Sequence, residues 1–316
     1  MAIEEIYEVI IIGGGPAGLV AGLYCKRAAV KTVLFEKGLP GGQIAISKQV
    51  ENYPGVEGIT GFDLAEKMVR HAQGFGLNIV REEAVEITAG SERYSVRLAN
   101  GEVYHSVALI LGVGGTVRKL GVPGEAEYLG SGVSYCATCD GFFFRDRTVA
   151  IVGGGETAVE EALYLSRLVK KVYLFHRRDA LRASKPLQSR LLSEPRIEII
   201  LNTIITEIKG DGRSVEAVAF ENTATGKKGE TPVDGVFILI GNSPNNKLIP
   251  QNVRVNDQGF VITDEKCETN VPGIFAIGDL RQKYANQIVV AAADGAIAAL
   301  AAARYVEAQR TASSSS

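Results

Sequence analysis

The sequence predicts an α/β fold built from two three-layer domains, one inserted into the other. Three observations carry that prediction. A buried strand runs into a glycine-rich turn and a helix near the N-terminus, the same arrangement recurs after residue 147, and the last third of the chain restarts neither. At 316 residues the chain has length for two domains rather than one.

The elements follow in order. Tyr7 to Ile12 is a short, β-branched apolar run, which reads as a parallel strand buried on both faces. Gly13-Gly14-Gly15-Pro16-Ala17-Gly18 comes next, then a helix ending near Ala29 and a strand from Lys31 to Glu36. In the repeat, Thr148 to Val152 is apolar, Gly153-Gly154-Gly155 turns, a helix runs from Thr157 to Val169, and Lys171 to Phe175 is the next strand. Further on, Gly235 to Gly241 reads as a buried strand followed by the loop Asn242 to Asn246. Gly273 to Ile277 reads as another, ending in Gly278-Asp279. A long Ala-rich helix closes the chain, and the polar tail Thr311 to Ser316 is expected to be disordered.

Composition narrows the function classes. Hydrophobic residues are 46% and charged residues 22%, which is ordinary for a globular domain. A net charge of −2 gives no electrostatic case for nucleic acid or membrane partners. The start, Met1-Ala2-Ile3-Glu4-Glu5, lacks the basic segment of a secretory signal. No apolar run is expected to span a bilayer, because Asp294 and Gly295 interrupt the C-terminal stretch, so a cytoplasmic protein is the default.

Gly13, Gly15 and Gly18 have the spacing for a tight turn, close backbone approach to a pyrophosphate, and close helix–strand packing. The N–H groups at the helix start favour that anion, and Glu36 stands where it can accept from a ribose hydroxyl. This motif does not by itself separate FAD from NAD. Gly153, Gly155, Glu156, Thr157 and Ala158 form a GxGxxA turn of the same kind. At the position of Glu36, this second unit has His176-Arg177-Arg178, with Arg182 one turn on. A carboxylate there suits a free 2′-hydroxyl, whereas arginines suit a 2′-phosphate, so NADPH is expected over NADH. Two Rossmann-like domains are therefore expected.

Cys136 and Cys139 form the only close cysteine pair, in Tyr135-Cys136-Ala137-Thr138-Cys139-Asp140-Gly141. A zinc site needs about four ligands, and the chain has no second CxxC or nearby His pair. A structural disulfide across so small a loop stabilises little. The spacing suits a dithiol–disulfide couple. Asp140 has two readings, a general acid/base for the thiols or a cap on the next turn. Phe142 and Phe143 likewise read as either partner contacts or core. Cys25 and Cys267 stand alone and are expected to be buried.

Several segments then resemble the thioredoxin reductase family: Pro40-Gly41-Gly42-Gln43, Val50 to Gly55, Thr269 to Asp279, and His176-Arg177-Arg178-Asp179-Ala180-Leu181-Arg182-Ala183. The motifs stand in that family's order, with the CxxC inside the second domain. The resemblance implies an FAD-binding domain over 1–116 and 244–316 and an NADPH-binding domain over 117–243. It implies FAD contacts from Gly13, Gly15, Pro16, Ala17, Glu36, Lys37, Gly42, Gln43, Asn52, Gly278, Asp279, Gln287 and Ile288. It also implies Cys139 beside the flavin, Cys136 as the attacking sulfur, thioredoxin or a thioredoxin-like protein as partner, and a homodimer. A helix starting near Asn286-Gln287-Ile288 offers its dipole to the flavin ring; Asn286 stands where the family commonly has Arg. The alternatives are the flavoprotein of a peroxide-reducing system, an NADPH oxidase, and a flavin-binding redox sensor without turnover.

Overall fold

The computed structural model describes residues 6–90 and 93–314. In chain order its principal elements are β1 (Ile6–Ile12), α1 (Pro16–Arg27), β2 (Thr32–Phe35), α2 (Gly61–Gly74), β3 (Asn78–Val80), β4 (Ala84–Ala89), β5 (Tyr94–Leu98) and β6 (Val103–Leu111). They continue with β7 (Gly115–Val117), β8 (Val133–Ser134), α3 (Ala137–Asp140), β9 (Thr148–Gly153), α4 (Glu156–Leu165), β10 (Lys171–Phe175), α5 (Lys185–Leu192) and β11 (Ile197–Ile200). The last are β12 (Thr203–Gly210), β13 (Val215–Asn222), β14 (Lys228–Pro232), β15 (Gly235–Leu239), β16 (Asn242–Pro244), β17 (Ile274–Ala276) and α6 (Ile288–Ser314). The chain divides into two compact units, 1–116 with 243–316, and 117–242.

In the first unit the sheet runs β3-β2-β1-β6-β5-β4, and β17 also pairs with β6. Its strands β3, β2, β1, β6 and β17 are parallel, whereas β6-β5-β4 is an antiparallel extension. Alternate residues of β1 explain the layering. Val9 and Ile11 face a core made with α1 and α6, through Leu19, Ala21, Ala298 and Ala302. Ile10 and Ile12 face the other side, with Val33, Val261 and Leu280. Burial of all four at 0–4% exposure is what the unbroken apolar run demands of a strand covered on both faces.

The second unit repeats this plan. The sheet β11-β10-β9-β15-β8 is parallel throughout. On one face α4 packs Val159, Ala162 and Leu165 against Val149 and Ile151. On the other, the antiparallel meander β12-β13-β14 supplies Ile205, Ile208 and Val218 against Ala150 and Val152.

Two expectations change. By length and composition α6 is apolar enough to cross a membrane, with a mean hydropathy of 1.5. Its interior explains that character: Ala291, Ala298, Ala299, Ala302 and Val306 are buried in the core with α1, and Asp294 is buried in ion pairs. The tail also differs. The helix continues through Thr311 to Ser314, where the Thr311 hydroxyl donates to the Glu307 carbonyl (3.0 Å); residues 315 and 316 lie outside the described residues. Alanine-rich sequence has high helix propensity, and the run before Thr311 carries the helix into the serines.

Candidate active site

Cys136 and Cys139 form a disulfide at the start of α3, with Cα atoms 5.3 Å apart. Cys136 caps this short helix, its Sγ accepting from the Cys139 N–H (3.2 Å). The strand β8 ends at Ser134 and so places a hydroxyl beside the pair. Ser134 Oγ accepts from the Cys136 N–H (3.0 Å) and donates to Asp140 Oδ2 (2.6 Å). Burial pushes the Asp140 carboxyl above its ordinary value, partly offset by the Ser134 hydrogen bond. The arrangement holds a carboxyl inclined to keep a proton, one residue from Cys139.

A second carboxylate reaches the same turn. Glu161 on α4 accepts from the Ala137 N–H at 2.6 Å. Sequence motifs did not single it out, because it lies 24 residues from its partner inside an ordinary helical run. Phe142 and Phe143 are exposed, at 58% and 41%, and the Arg145 guanidinium lies over the Phe142 ring at 5.4 Å. Phe144 instead enters the core, edge-on to Phe237. Cys25 and Cys267 are buried free thiols, pushed up to about 12 chiefly by burial, and so are chemically quiet.

In the same unit, the second glycine turn joins β9 to α4. A Cβ on Gly153 would meet Ala158 at 2.6 Å, so the Ala158 position serves close packing under the turn. His176, the residue after β10, is buried beneath the middle glycine, where a Cβ on Gly154 would come within 2.2 Å of Nδ1. Its Nδ1 and Nε2 lie 3.0 and 3.1 Å from the Gly153 and Ala180 carbonyl oxygens. Burial lowers the pKa of the ring, the two hydrogen bonds oppose this, and the Arg182 and Arg178 charges add to the lowering. His176 thus braces the turn from beneath. Glu156 is likewise engaged within the protein, accepting from the Ser184 N–H (2.8 Å) ahead of α5. Thr157, Arg177, Arg178 and Arg182 are exposed, and Arg182 Nη2 lies 3.9 Å from the Cβ position of Gly155. Arginine charge therefore stands at the mouth of this turn.

The first turn has the same construction with a carboxylate in the bracing position. Glu36 follows β2 and accepts from the Gly14 N–H (2.6 Å) and the Gly38 N–H (2.8 Å). Gly13 has φ 105°, and a Cβ there would strike the Gly112 carbonyl at 2.3 Å. Gly18 approaches the Gly13 carbonyl as closely, whereas a Cβ on Gly15 would meet nothing within 4 Å. The turn is therefore tight beneath and open above, where Pro16 opens α1 and the helix N–H groups point. Such a cradle fits a dinucleotide pyrophosphate.

The other first-unit candidates gather around this turn in part. Gly42 lies over it, 3.2 Å from Gly15 Cα to its Cβ position, and the Gly41 N–H donates to the Gly14 carbonyl at 2.7 Å. Ala17 is buried, its Cβ 3.1 Å from the Cβ position of Gly278. Gln43 donates to the Gly115 carbonyl, and Asn52 to Gln287 Oε1 (3.1 Å) just ahead of Ile288, the first residue of α6. Lys37 pairs with Glu83 at 3.7 Å on the surface. Asp279 pairs with Lys283 at 3.2 Å.

Lys283 belongs to a buried network that sequence reading missed. Asp294 accepts from Arg281 at 2.7 Å, lies 3.5 Å from Lys283 Nζ, and accepts from the Gly278 N–H at 3.1 Å. The carboxylate thus ties α6 to the Gly278-Asp279 turn. Its partners sit 11 to 16 residues away, outside any spacing that marks a motif.

Comparison with known proteins agrees with this geometry. A family model for pyridine nucleotide-disulphide oxidoreductases matches residues 7–295. The thioredoxin reductase of Listeria monocytogenes is 45% identical over 304 residues, covering 96% of this chain and 95% of its own. That of Bacillus subtilis is 45% identical over 307 residues, covering 97% of each. The crystal structure of thioredoxin reductase from Streptococcus pyogenes matches with a TM-score of 0.93 at 40% identity, over 96% of this chain and 99% of the other. The chain therefore belongs to the pyridine nucleotide-disulphide oxidoreductase family, among the thioredoxin reductases.

Proposed function

We propose that this enzyme takes electrons from NADPH, passes them through FAD to the Cys136–Cys139 disulfide, and reduces the disulfide of thioredoxin or a thioredoxin-like protein. One observation carries the reading most: a CxxC disulfide flanked by a partly buried carboxyl shares a unit with a glycine turn that has Arg182 at its mouth. FAD, when bound, supplies the conversion between hydride donation and two-electron disulfide reduction.

The residues of the chain do the rest. The first unit offers Gly13, Gly15 and the start of α1 to the FAD pyrophosphate, and Glu36 and Asp279 serve its hydroxyl groups. The second offers Gly153, Gly155 and Thr157 to the NADPH pyrophosphate. Arg177, Arg178 and Arg182 serve the 2′-phosphate. His176, Glu156 and Ala158 support that turn from within the protein. Asp140 moves the proton that a thiol gains or loses.

The dithiol and the nicotinamide cradle belong to one inserted unit, and each has to reach a flavin held by the other. The reading therefore requires the inserted unit to swing between two orientations; full turnover in an enzyme tethered in one orientation would refute the swing. By family, the active form is a homodimer.

The test is NADPH-dependent reduction of thioredoxin by the wild type and by Cys136→Ser. Reduction by the wild type and its loss in the variant support the assignment. Normal reduction by the variant overturns it.

A further inference from the structure

The Cys136 sulfur stands in a turn of which four backbone N–H groups have described partners. The Cys139 N–H points at Cys136 Sγ, the Cys136 N–H at Ser134, and the Asp140 N–H at the Cys136 carbonyl. The remaining one next to Cys136, on the fully buried Ala137, is held at 2.6 Å by Glu161 from the neighbouring helix α4. A carboxylate therefore holds the peptide that follows Cys136.

We propose that Glu161 is a positioning residue for the redox pair: it pins the Cys136–Ala137 peptide and disfavours, without abolishing, the Cys136 thiolate after the disulfide is reduced. Two effects act in the same direction. Negative charge held on the peptide that follows Cys136 disfavours its thiolate. The Ala137 N–H, committed to a carboxylate, also adds nothing to the stabilisation that the Cys139 N–H gives the sulfur, and such helix-start N–H groups are what ordinarily make a CxxC thiol acidic. A dithiol whose thiolate is not stabilised is the stronger reductant, because stabilising the reduced form is what makes such a pair oxidising. That direction suits a pair that hands electrons outward, so the inference rests on the proposed route.

Among the described residues, this carboxylate is a charged group that bonds the peptide directly. Of the elements packed on α4, α3 carries Asp140 and the cysteines, β10 carries Lys171 and Tyr173, α5 carries Lys185 and Arg190, and β9 carries no titratable side chain. On α4 itself Glu160 is the neighbouring charge and is exposed. Burial raises the Glu161 carboxyl above its ordinary value, the Ala137 hydrogen bond lowers it, and Glu160 adds a smaller rise.

The experiment measures alkylation of Cys136 by iodoacetamide in the FAD-loaded, full-length enzyme carrying Cys139→Ser, between about pH 6 and pH 10. Glu161→Gln keeps an acceptor for the Ala137 N–H and removes the charge. It is expected to move the profile to lower pH and to raise the rate at neutral pH about tenfold. Glu160→Gln, on the exposed side, is expected to move it far less. An unshifted Glu161→Gln profile, with melting and flavin absorbance as in the parent, overturns the proposal. So does an equal shift from Glu160→Gln. Should Glu161→Gln fail to fold, the parent profile decides. A midpoint at or above the ordinary thiol value of about 8.5 supports the role, and one well below it refutes it. The assay uses neither NADPH nor thioredoxin. Its failure leaves the electron route intact, and a wild type unable to reduce thioredoxin leaves the alkylation result standing while removing its purpose.

Discussion

Ser134 donates a 2.6 Å hydrogen bond to the Asp140 carboxylate while accepting one from the Cys136 backbone. A single hydroxyl at the end of β8 thus links the proposed proton carrier to the redox-active pair. It also gives Asp140 a partner that offsets part of its desolvation, since a partly buried carboxyl without one would be more costly.

The first prediction concerns Asp140→Asn. The substitution keeps an acceptor for Ser134 and removes the transferable proton, so thioredoxin reduction should fall about a hundredfold or more. Stability should move the other way. Burial raises the folded-state pKa of Asp140, so its favourable contribution is complete below the ordinary value and is lost as pH rises through the folded value. At neutral pH the ionised carboxyl is a cost that asparagine lacks. The variant should melt above the wild type at neutral pH, the difference closing towards about pH 3.5. A variant less stable than wild type at neutral pH would show that Asp140 is held for structure.

The glycines of the first turn separate packing from binding. A Cβ on Gly18 would lie 1.9 Å from the Gly13 carbonyl oxygen, with backbone that cannot move aside cheaply, whereas one on Gly15 meets nothing. Gly18→Ala should lower the unfolding free energy by about 1–3 kcal/mol and lose flavin with it. Gly15→Ala should leave stability in urea unchanged for the flavin-free protein and weaken FAD binding, because its methyl enters the cradle. Flavin absorbance per protein and denaturation midpoints read the two effects independently.

The two βαβ units were legible because each places every decisive feature within a few tens of residues. β1 and β9 are unbroken β-branched runs, and Glu36 and His176 both follow the second strand directly. What needed coordinates is non-local. The strands of β4-β5-β6 and β12-β13-β14 do not alternate cleanly: β4 is partly buried at every third residue, and bulges in β4 and β12 break a period of two. Helix α4 ends at Leu165, not Val169, because its last turn tightens around Ser166 to Leu168. The register of His176 matched that of Glu36 in sequence. Only the structure shows that it is buried beneath Gly154 and not at the mouth of the turn. Glu161 left no sequence signal, and Asp294 stood out only as a charge in an apolar run, since each acts on a peptide distant in the chain.

Cofactor choice tests the arginines. Arg177, Arg178 and Arg182 are exposed around a turn whose middle is braced by His176, so removing them disturbs little packing. Replacing Arg177 and Arg178 together by Ala should raise the KM for NADPH at least about tenfold, the loss of charge-assisted hydrogen bonds to phosphate, and change that for NADH little. Equal losses for both coenzymes would place these arginines on the shared pyrophosphate.

The buried charge network gives the largest stability effect expected. Asp294 receives Arg281 at 2.7 Å and the Gly278 N–H at 3.1 Å, and lies 3.5 Å from Lys283, with the Asp294 and Lys283 side chains 6% and 5% exposed. Asp294→Ala leaves Arg281 without this carboxylate and Lys283 with Asp279 as its remaining carboxylate, and breaking a buried pair from one side typically costs about 3–5 kcal/mol. The surface pair Arg97–Glu86, at 2.6 Å with both side chains about half exposed, is the control. Glu86→Ala should change stability by no more than about 1 kcal/mol despite the equally short contact. Because Asp294 also holds the Ile277–Gly278 peptide ahead of Asp279, its loss should release FAD before global unfolding. Flavin fluorescence would then rise at a lower urea concentration than the loss of helical circular dichroism. Coincident transitions would show that Asp294 acts on the fold as a whole and not on the flavin turn.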